Sequence, residues 1–140
     1  MRFVLDNSVV MRWLLQDGSD ERLAYAQKVL GVLAQEDSVA VVPGIWALEA
    51  ANVMVKAQAK QLVTEARCAA FAGLLQDMTL MTDPHTATHA LSDTLQLARR
   101  FKLSSYDASY LELALREGLP LATLDGDLRN AMLQTGVALL

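Results

Sequence analysis

The amino-acid sequence predicts an α/β fold in which a parallel sheet of about five strands is flanked by helices in three layers, α/β/α. Short apolar runs alternate along the chain with longer segments whose apolar residues recur at helical spacing. Strands separated by helices favour parallel βαβ units. The 140 residues are 53% hydrophobic and 20% charged and contain no linker or repeat, which predicts a single domain over residues 1–140.

The first half of the chain contains two predicted strands and three predicted helices. The runs "RFVLD" at 2–6 and "SVAVVP" at 38–43 are short, apolar and rich in β-branched residues, as expected of buried strands. A short helix at 8–16 and a longer one from about 20 to 36 separate them. The apolar spacing in 44–60 predicts a third helix, which leads away from the second strand.

Four further helices and three further strands are predicted in the second half. Asp83 followed by Pro84 is a good N-terminal capping pair, and Gly118 followed by Pro120 is a good helix stop. The predicted helices cover about 64–77, 84–101, 103–117 and 128–133, and the predicted strands cover 79–83, 119–125 and 137–140.

Charge and hydropathy exclude several classes of protein. The net charge of −4 argues against a protein that coats nucleic acid electrostatically, but it is compatible with an enzyme that meets nucleic acid at one metal-filled cleft. No apolar run approaches the roughly 18 residues of a membrane span, and Asp6 and Arg12 interrupt the N-terminal apolar segment, so no signal peptide is expected. The single cysteine, Cys68, fits a reducing cytosol. We therefore expect a cytoplasmic protein without a membrane partner.

Asp107 is a carboxylate on an otherwise apolar helical face. In "LSSYDASYLELAL" it shares that face with Tyr110 and Ala114, at i+3 and i+7. One interpretation is a helix cap, because Ser104 and Asp107 form a variant of the capping box and an acid in the first turn suits the helix dipole. The other interpretation is that this face points into a functional site.

Glu49 is the only charged residue between Val41 and Val55. Burying a lone carboxylate is costly, so it needs a partner, a proton or an ion. A salt bridge to Lys56 or to another base is the structural interpretation, and a role in a functional site is the alternative.

Asp6 and Asp125 end the first and the fourth predicted strand, in "VLDNS" and "ATLDGD". Ligands of open α/β sheets gather at the carboxyl ends of the strands. Each acid could instead cap the next helix or start a turn.

The combination of these carboxylates points to a metal site. Two carboxylates repel by about 4 kcal/mol at a separation of about 4 Å and an effective dielectric constant of about 20, so a cluster of them requires protons or cations. Ligands that are all oxygen atoms favour hard divalent ions, which makes Mg²⁺ or Mn²⁺ the expected cofactor. Such ions suit phosphodiester hydrolysis.

The chain resembles the PIN domain family, and most closely the VapC-type toxins of bacterial toxin–antitoxin pairs. The segments that carry the resemblance are "FVLDNSVVMRWL", "VVPGIWALEAANVM" and "LSSYDASYLELALREGLPLATLDGDL", in that order, and it covers essentially the whole chain. It implies a PIN-like sheet wrapped by helices and an endoribonuclease dependent on Mg²⁺ or Mn²⁺, in which a metal-activated water attacks the scissile phosphate. It also implies an RNA substrate, a homodimer and a small antitoxin protein that blocks the cleft.

The resemblance also implies the residues of the site. The catalytic and metal-binding acids of the family correspond to Asp6, Glu49, Asp107 and Asp125.

Four neighbouring residues are expected to have supporting positions. By the same resemblance, the hydroxyls of Ser8 and Thr123 hydrogen-bond the ligands or the metal-bound waters, and Asn52 is a supporting polar residue. Family members often have a base two residues after the fourth acid, where this chain has Asp127. Asp125 alone or both acids could reach the metal. The strand-end position favours Asp125, with Asp127 as a helix-start acid.

Other functions make different demands on the sequence. A catalytically silent PIN-like binding module would be expected to lack one of the four acids, and a PIN ribonuclease of RNA processing would act without an antitoxin. An aspartyl-phosphate phosphatase needs D-x-D after the first strand, where this chain has Asp6, Asn7 and Ser8. A phospho-receiver needs a lysine after a late strand, and none is present.

His85 and His89 lie four residues apart in one predicted helix, a spacing that can bind zinc. The zincin pattern has glutamate directly after the first histidine, where this chain has Thr86. The same face carries several polar residues, including Asp93 and Arg99, which favours a solvated surface.

Overall fold

The structure is a computed structural model that describes residues 1–140. Four parallel strands form its single sheet. The sheet has the order β3-β2-β1-β4. Every pairing is parallel, as the alternation of strands and helices predicted. The strands are β1 (Arg2–Leu5), β2 (Val39–Val42), β3 (Leu80–Thr82) and β4 (Leu121–Ala122).

The two central strands are buried, which explains their apolar sequences. Phe3, Val4 and Leu5 of β1 are fully inaccessible, and β2 is buried from its second residue onward. A strand whose consecutive residues are all buried must be covered on both faces of the sheet, and helices provide that cover. The edge strand β3 is exposed at Met81 and Thr82.

Eight α-helices connect and follow the strands. Several begin with a side-chain cap: Ser19, Thr64, Ser104 and Asp125 each accept a hydrogen bond from the backbone N–H three residues later. The helices are α1 (Asn7–Leu15), α2 (Asp20–Leu33), α3 (Trp46–Ala59), α4 (Glu65–Asp77), α5 (Thr86–His89), α6 (Leu95–Phe101), α7 (Ser105–Glu117) and α8 (Gly126–Thr135).

The helix predicted over 84–101 is not continuous. A π-helical segment, Ala90–Thr94, separates α5 from α6. Asp83 does hydrogen-bond the start of this region, because its Oδ1 accepts a hydrogen bond of 3.1 Å from the His85 N–H. A π-turn inserts one residue into the helical ladder and leaves the surrounding apolar periodicity almost unchanged, so the spacing of apolar residues did not reveal it.

The fifth strand predicted at 137–140 is reduced to one parallel bridge between Leu121 and Leu139. The Leu121 N–H donates to the Ala138 carbonyl at 2.9 Å, and the Leu140 N–H donates back to the Leu121 carbonyl at 3.2 Å. The prediction of about five strands was therefore one too high. Gly136, at a φ of 78°, ends α8 just before this segment, and β4 offers only two residues for pairing.

The strand order places two predicted site residues side by side. From β1 the chain crosses to β2 and then β3 on one side, whereas β4 lies on the other side of β1. The reversal of strand order between β1 and β4 is where open α/β sheets form a ligand-binding crevice. Asp6 and Asp125 follow these two strands. Helix α7, which carries Asp107, contacts both. None of the helices is both long and apolar enough to cross a bilayer.

Candidate metal centre

Asp6 lies at the bottom of the crevice. It follows β1, is 5% exposed, and its backbone N–H donates to the Ala122 carbonyl of β4 at 3.0 Å. Burial raises the pKa of its carboxyl above the usual range, although hydrogen bonds from Ser8 and Thr123 oppose the shift. The negative charge of Asp125 raises the pKa further.

Two hydroxyl groups hold the Asp6 carboxylate and the loop after β4 together. Ser8 Oγ and Thr123 Oγ1 donate to Asp6 Oδ2 at 2.6 and 2.7 Å. Ser8 Oγ also accepts the Leu124 N–H at 2.9 Å, and Thr123 Oγ1 accepts the Asp125 N–H at 3.1 Å. The hydroxyls therefore fix the two strand ends relative to each other.

Glu49 is partnered by a tyrosine. Tyr110 of α7 donates its hydroxyl to Glu49 Oε1 at 2.7 Å, and no salt bridge joins Glu49 to Lys56 or to any other base. The pKa of Glu49 is raised by burial first, then by the charges of Asp6 and Asp107, against the lowering effect of the tyrosine hydrogen bond. Glu49 therefore faces the other acids.

Asp107 combines the two roles that its sequence position suggested. Its backbone N–H donates to the Ser104 side chain at 3.0 Å, so the helix cap is present. Burial, followed by the charges of Asp6 and Asp125, raises the pKa of its carboxyl to about 6. The charge of Asp127 makes a smaller contribution in the same direction. The cap explains where the helix begins, and the neighbouring acids show where the side chain is directed.

Asp125 and Asp127 occupy different positions at the start of α8. Asp125 Oδ1 caps the helix by accepting the Leu128 N–H at 2.8 Å, and Oδ2 makes no hydrogen bond. Asp127 is exposed in the first turn. Asp125 therefore has one oxygen available toward the acids, and Asp127 lies at their periphery.

Asn52 lies beside the acids without a hydrogen bond to any of them. It is exposed and lines a cavity of about 340 Å³ together with Glu49 and Tyr106. Its amide thus borders the space next to Glu49, and the structure does not show it supporting a carboxylate.

The chemistry of this donor set fits Mg²⁺ or Mn²⁺. The four acids come from the end of β1, from α3, from α7 and from the end of β4, and each of the raised pKa values has another of these acids among its causes. A divalent cation would relieve that repulsion. No three oxygens of these acids lie within 4.8 Å of one another. Mg²⁺ tolerates such a spacing because it keeps several waters and binds through one or two carboxylates.

Sequence reasoning missed two polar side chains behind the acids. Tyr110 was assigned only to an apolar helical face, and Asn7 was named only as the residue between Asp6 and Ser8. Asn7 Nδ2 donates to the Trp46 carbonyl at 3.2 Å and to the Tyr110 hydroxyl at 3.4 Å. A tyrosine three residues after an inward-facing acid is the signal that could have indicated a hydroxyl near the site.

The chain matches known proteins both as a sequence family and as a fold. The family model of the PIN domain matches residues 3–132. No curated protein sequence matches closely enough to identify a relative.

Solved structures of low sequence identity share the fold. VapC20 from Mycobacterium tuberculosis, a sarcin-ricin loop cleaving toxin, is 16% identical with a TM-score of 0.64, over 92% of this chain and 94% of that chain. VapBC2 from Rickettsia felis, bound to a DNA fragment from their promoter, is 12% identical with a TM-score of 0.65, over 100% and 98%. PAE2754 from Pyrobaculum aerophilum is 21% identical with a TM-score of 0.63, over 94% and 79%. Because the family model spans nearly all of the sequence, this chain belongs to the PIN domain family.

Proposed function

We propose that this protein is a metal-dependent endoribonuclease that hydrolyses RNA phosphodiester bonds. The observation that carries the proposal is the convergence of Asp6, Glu49, Asp107 and Asp125, from four separate elements, at the crevice between β1 and β4. Such a concentration of partly buried negative charge stabilises no fold by itself, because mutual repulsion opposes it. It is the arrangement expected where a divalent cation is bound.

The four acids would hold Mg²⁺ or Mn²⁺. When bound, such an ion lowers the pKa of water and stabilises negative charge on a phosphate. Asp6 is the anchor of the site because Ser8 and Thr123 fix its carboxylate. Tyr110 holds Glu49 from the opposite side. Raised pKa values mean that Asp107 and Glu49 keep protons more readily than ordinary carboxyls until a cation replaces them.

A basic edge next to the acids supports a phosphate-containing substrate. Arg100 and Lys102 line a cavity of about 220 Å³ together with Asp127, and Asp127 is close enough to raise the pKa of Asp107. Lysine and arginine beside a metal site are suited to contact the flanking phosphates of a polynucleotide. The net charge of −4 restricts that contact to this local edge.

The proposed biological role is that of the toxin in a toxin–antitoxin pair. Two observations support it: the resemblance of the motif segments to VapC-type toxins, and the shared fold with VapC20 and VapBC2. In this role the protein is a cytoplasmic homodimer that a small antitoxin inhibits by covering the acids.

The enzymatic proposal is tested by RNA cleavage with purified protein in Mg²⁺, in Mn²⁺ and in EDTA. We expect cleavage that requires metal and is abolished by Asp6→Asn and by Asp107→Asn, with circular dichroism confirming that both variants fold. Equal cleavage by the wild type and the folded Asp107→Asn variant would refute the site assignment.

The toxin role is tested separately by induced expression in bacteria. We expect growth arrest with the wild type, none with Asp107→Asn, and rescue by co-expression of a small antitoxin, sought as a short reading frame immediately upstream of this gene. Metal-dependent cleavage in vitro without growth arrest would instead indicate an RNA-processing enzyme without an antitoxin.

A further inference from the structure

A second group of potential metal ligands lies away from the four acids. His89 ends α5, Asp93 belongs to the π-helical segment, and Glu112 lies in the middle of α7. His89 Nδ1 is 3.3 Å from Asp93 Oδ2 and 3.6 Å from Glu112 Oε1. One nitrogen and two carboxylate oxygens lie within 4.8 Å of one another, and no other group of three such residues in the protein is as tight.

The two separations from His89 match the edges of a zinc coordination tetrahedron. Zinc bonds of about 2.0–2.2 Å to nitrogen and oxygen place neighbouring tetrahedral ligands about 3.3–3.6 Å apart. Both separations measured from His89 Nδ1 fall in this range. We propose that His89, Asp93 and Glu112 bind a zinc ion, with water as the fourth ligand.

Glu112 is held in position for this role. Its side chain is almost fully buried, and Arg116 donates from Nε to Oε1 at 2.7 Å and from Nη2 to Oε2 at 3.1 Å. Each carboxylate oxygen has two lone pairs, so Oε1 keeps one for a metal. Such hydrogen-bonded ligands are typical of metal sites, because the outer partner fixes the orientation of the ligand.

The charge of the cluster favours a divalent cation. Asp83, Asp93 and Glu112 contribute three negative charges, and Arg116 is the positive charge that contacts Asp83 and Glu112. Glu117 contacts Arg116 at 3.4 Å, and Arg100 lines the adjoining cavity with Asp93 and Glu112, so these two opposite charges offset each other. The remaining net charge of −2 equals the charge that Zn²⁺ would neutralise. Imidazole nitrogen combined with carboxylate oxygen suits Zn²⁺ better than Mg²⁺, which prefers oxygen alone.

The proposed zinc site is distinct from the four-acid site. Glu112 follows Asp107 by five residues, which places it about 140° around the α7 axis and about 7.5 Å along it. Asp93, Glu112, Arg100 and Arg116 help to line a cavity of about 390 Å³, which gives water access to the two carboxylates. The bound ion would join the π-helical segment to α7, the helix that carries Asp107 and Tyr110.

Cobalt spectroscopy of untagged, metal-free protein tests this proposal. Four-coordinate Co²⁺ absorbs visible light strongly, whereas Co²⁺ in an octahedral carboxylate site absorbs weakly, so the two sites are distinguishable. We expect one strongly absorbing Co²⁺ per chain, displaced by Zn²⁺. Loss of an outer partner typically costs a metal site 10–100-fold in affinity, so losing a ligand through His89→Gln should weaken binding by about a hundredfold or more.

Matched variants decide the outcome. His85→Gln removes the other histidine of the chain and should leave the absorption unchanged, as should Asp107→Asn. Asp93→Asn, at an exposed position, should weaken binding without affecting folding.

Zn²⁺ should raise the melting temperature of the wild type and of His85→Gln, but not of His89→Gln. An absent band, or the same band in His89→Gln, would overturn the proposal and show that His89 only contacts the two carboxylates. Cleavage of RNA in Mg²⁺ by His89→Gln should match that of the wild type, so the ribonuclease proposal is tested independently of the zinc proposal.

Discussion

Tyr110 shows how one side chain can organise the proposed metal site. Its fully buried hydroxyl donates to Glu49 and accepts from Asn7, which links α7 to α3 and to the start of α1. The strong rise in its pKa, caused by burial and by the charges of Asp6 and Glu49, keeps the hydroxyl protonated at every physiological pH. Tyr110 is therefore a fixed hydrogen-bond donor that positions Glu49.

Replacing Tyr110 by phenylalanine should weaken metal binding more than it weakens the fold. Outer hydrogen-bond partners of metal ligands typically contribute 10–100-fold to metal affinity. We expect Tyr110→Phe to raise the Mg²⁺ concentration for half-maximal RNA cleavage by about tenfold, with activity recovered at high Mg²⁺. Cleavage rates measured over a range of Mg²⁺ concentrations give this value.

Tyr25→Phe is the control, because it removes a tyrosine hydroxyl that makes no hydrogen bond to any of the four acids. It should leave the Mg²⁺ dependence unchanged. Identical Mg²⁺ curves for Tyr110→Phe and the wild type would mean that the hydrogen bond to Glu49 has no effect on the metal.

The raised pKa of Asp107 predicts an unusual pH dependence of stability in the metal-free protein. Its folded-state pKa of about 6 lies above the ordinary value of 3.8 for an aspartate, so the folded state binds the proton more tightly than the unfolded state does. The free energy of unfolding should therefore fall as pH rises from about 4 to about 6. Asp6, Asp125 and Asp127, the charges that face Asp107, act in the same direction. Urea unfolding in EDTA at several pH values measures the slope.

Asp107→Asn should flatten this slope and raise the melting temperature at neutral pH without metal, because it removes a repelling charge. Mg²⁺ should restore the stability of the wild type at neutral pH and have little effect on the variant. A wild-type protein whose metal-free stability rises steadily between pH 4 and pH 6 would show that the acids do not repel one another as described.

The individual site residues were predictable to different degrees. Asp6 and Asp125 follow strands and Asp107 interrupts an apolar face, so pattern alone singled them out. The hydrogen bond from Tyr110 to Glu49 spans 61 residues of sequence, and no local periodicity encodes such a pair. The structure also replaced the expected alternative of a Glu49–Lys56 salt bridge with this tyrosine.

At the level of secondary structure, helix α7 connects two polar networks on its different faces. Asp107 and Tyr110 face the four acids, whereas Glu112 and Arg116 face the π-helical segment and the loop after β3. Arg116 joins Glu112 to Asp83, whose carboxylate also accepts the His85 N–H. Burial alone would raise the pKa of Asp83, but the hydrogen bonds from Arg116 and His85 outweigh it and lower that pKa.

Removing Arg116 should destabilise the fold, because it would leave two buried carboxylates without a cation. Breaking a buried ion pair typically costs about 3–5 kcal/mol. Arg116 itself is partly exposed at 19%, so we expect the lower end, about 3 kcal/mol, for Arg116→Met in the free energy of unfolding in urea.

Arg99→Met is the control for this substitution, since Arg99 is exposed in α6 and forms no ion pair. It should change stability by less than about 0.5 kcal/mol. Equal losses in the two variants would show that Arg116 contributes nothing beyond an ordinary surface arginine.

Element boundaries were predictable where local chemistry marks them. The caps at Ser19, Thr64 and Ser104 and the left-handed Gly118 lie where the sequence places the helix ends. The π-helical segment and the shortened C-terminal strand were not predictable. The π-helical segment shifts the helical hydrogen-bond pattern by only one residue. The length of the C-terminal strand depends on how much of β4 is available for pairing.

At the scale of the whole molecule, strand order creates the site. The sheet order β3-β2-β1-β4 brings the ends of β1 and β4 together, although Asp6 and Asp125 are more than a hundred residues apart in sequence. Helices α3 and α7 then bring Glu49 and Asp107 to the same crevice. The sequence predicted a parallel sheet and acids at strand ends, but the neighbours of each strand could be expected only through the family resemblance.

Mg²⁺ binding by calorimetry, to the folded wild type and to single variants, is the decisive experiment for the four-acid site. Mg²⁺ prefers oxygen ligands, so the histidine-containing cluster should contribute little. Asparagine also caps helices well, so Asp125→Asn should keep the start of α8 intact. The variants are Asp6→Asn, Glu49→Gln, Asp107→Asn, Asp125→Asn and, as the peripheral control, Asp127→Asn. We predict Mg²⁺ binding to the wild type and to Asp127→Asn, with strongly weakened binding to the other four. Unchanged Mg²⁺ binding in those four folded variants would show that the inward-facing acids are not the metal site.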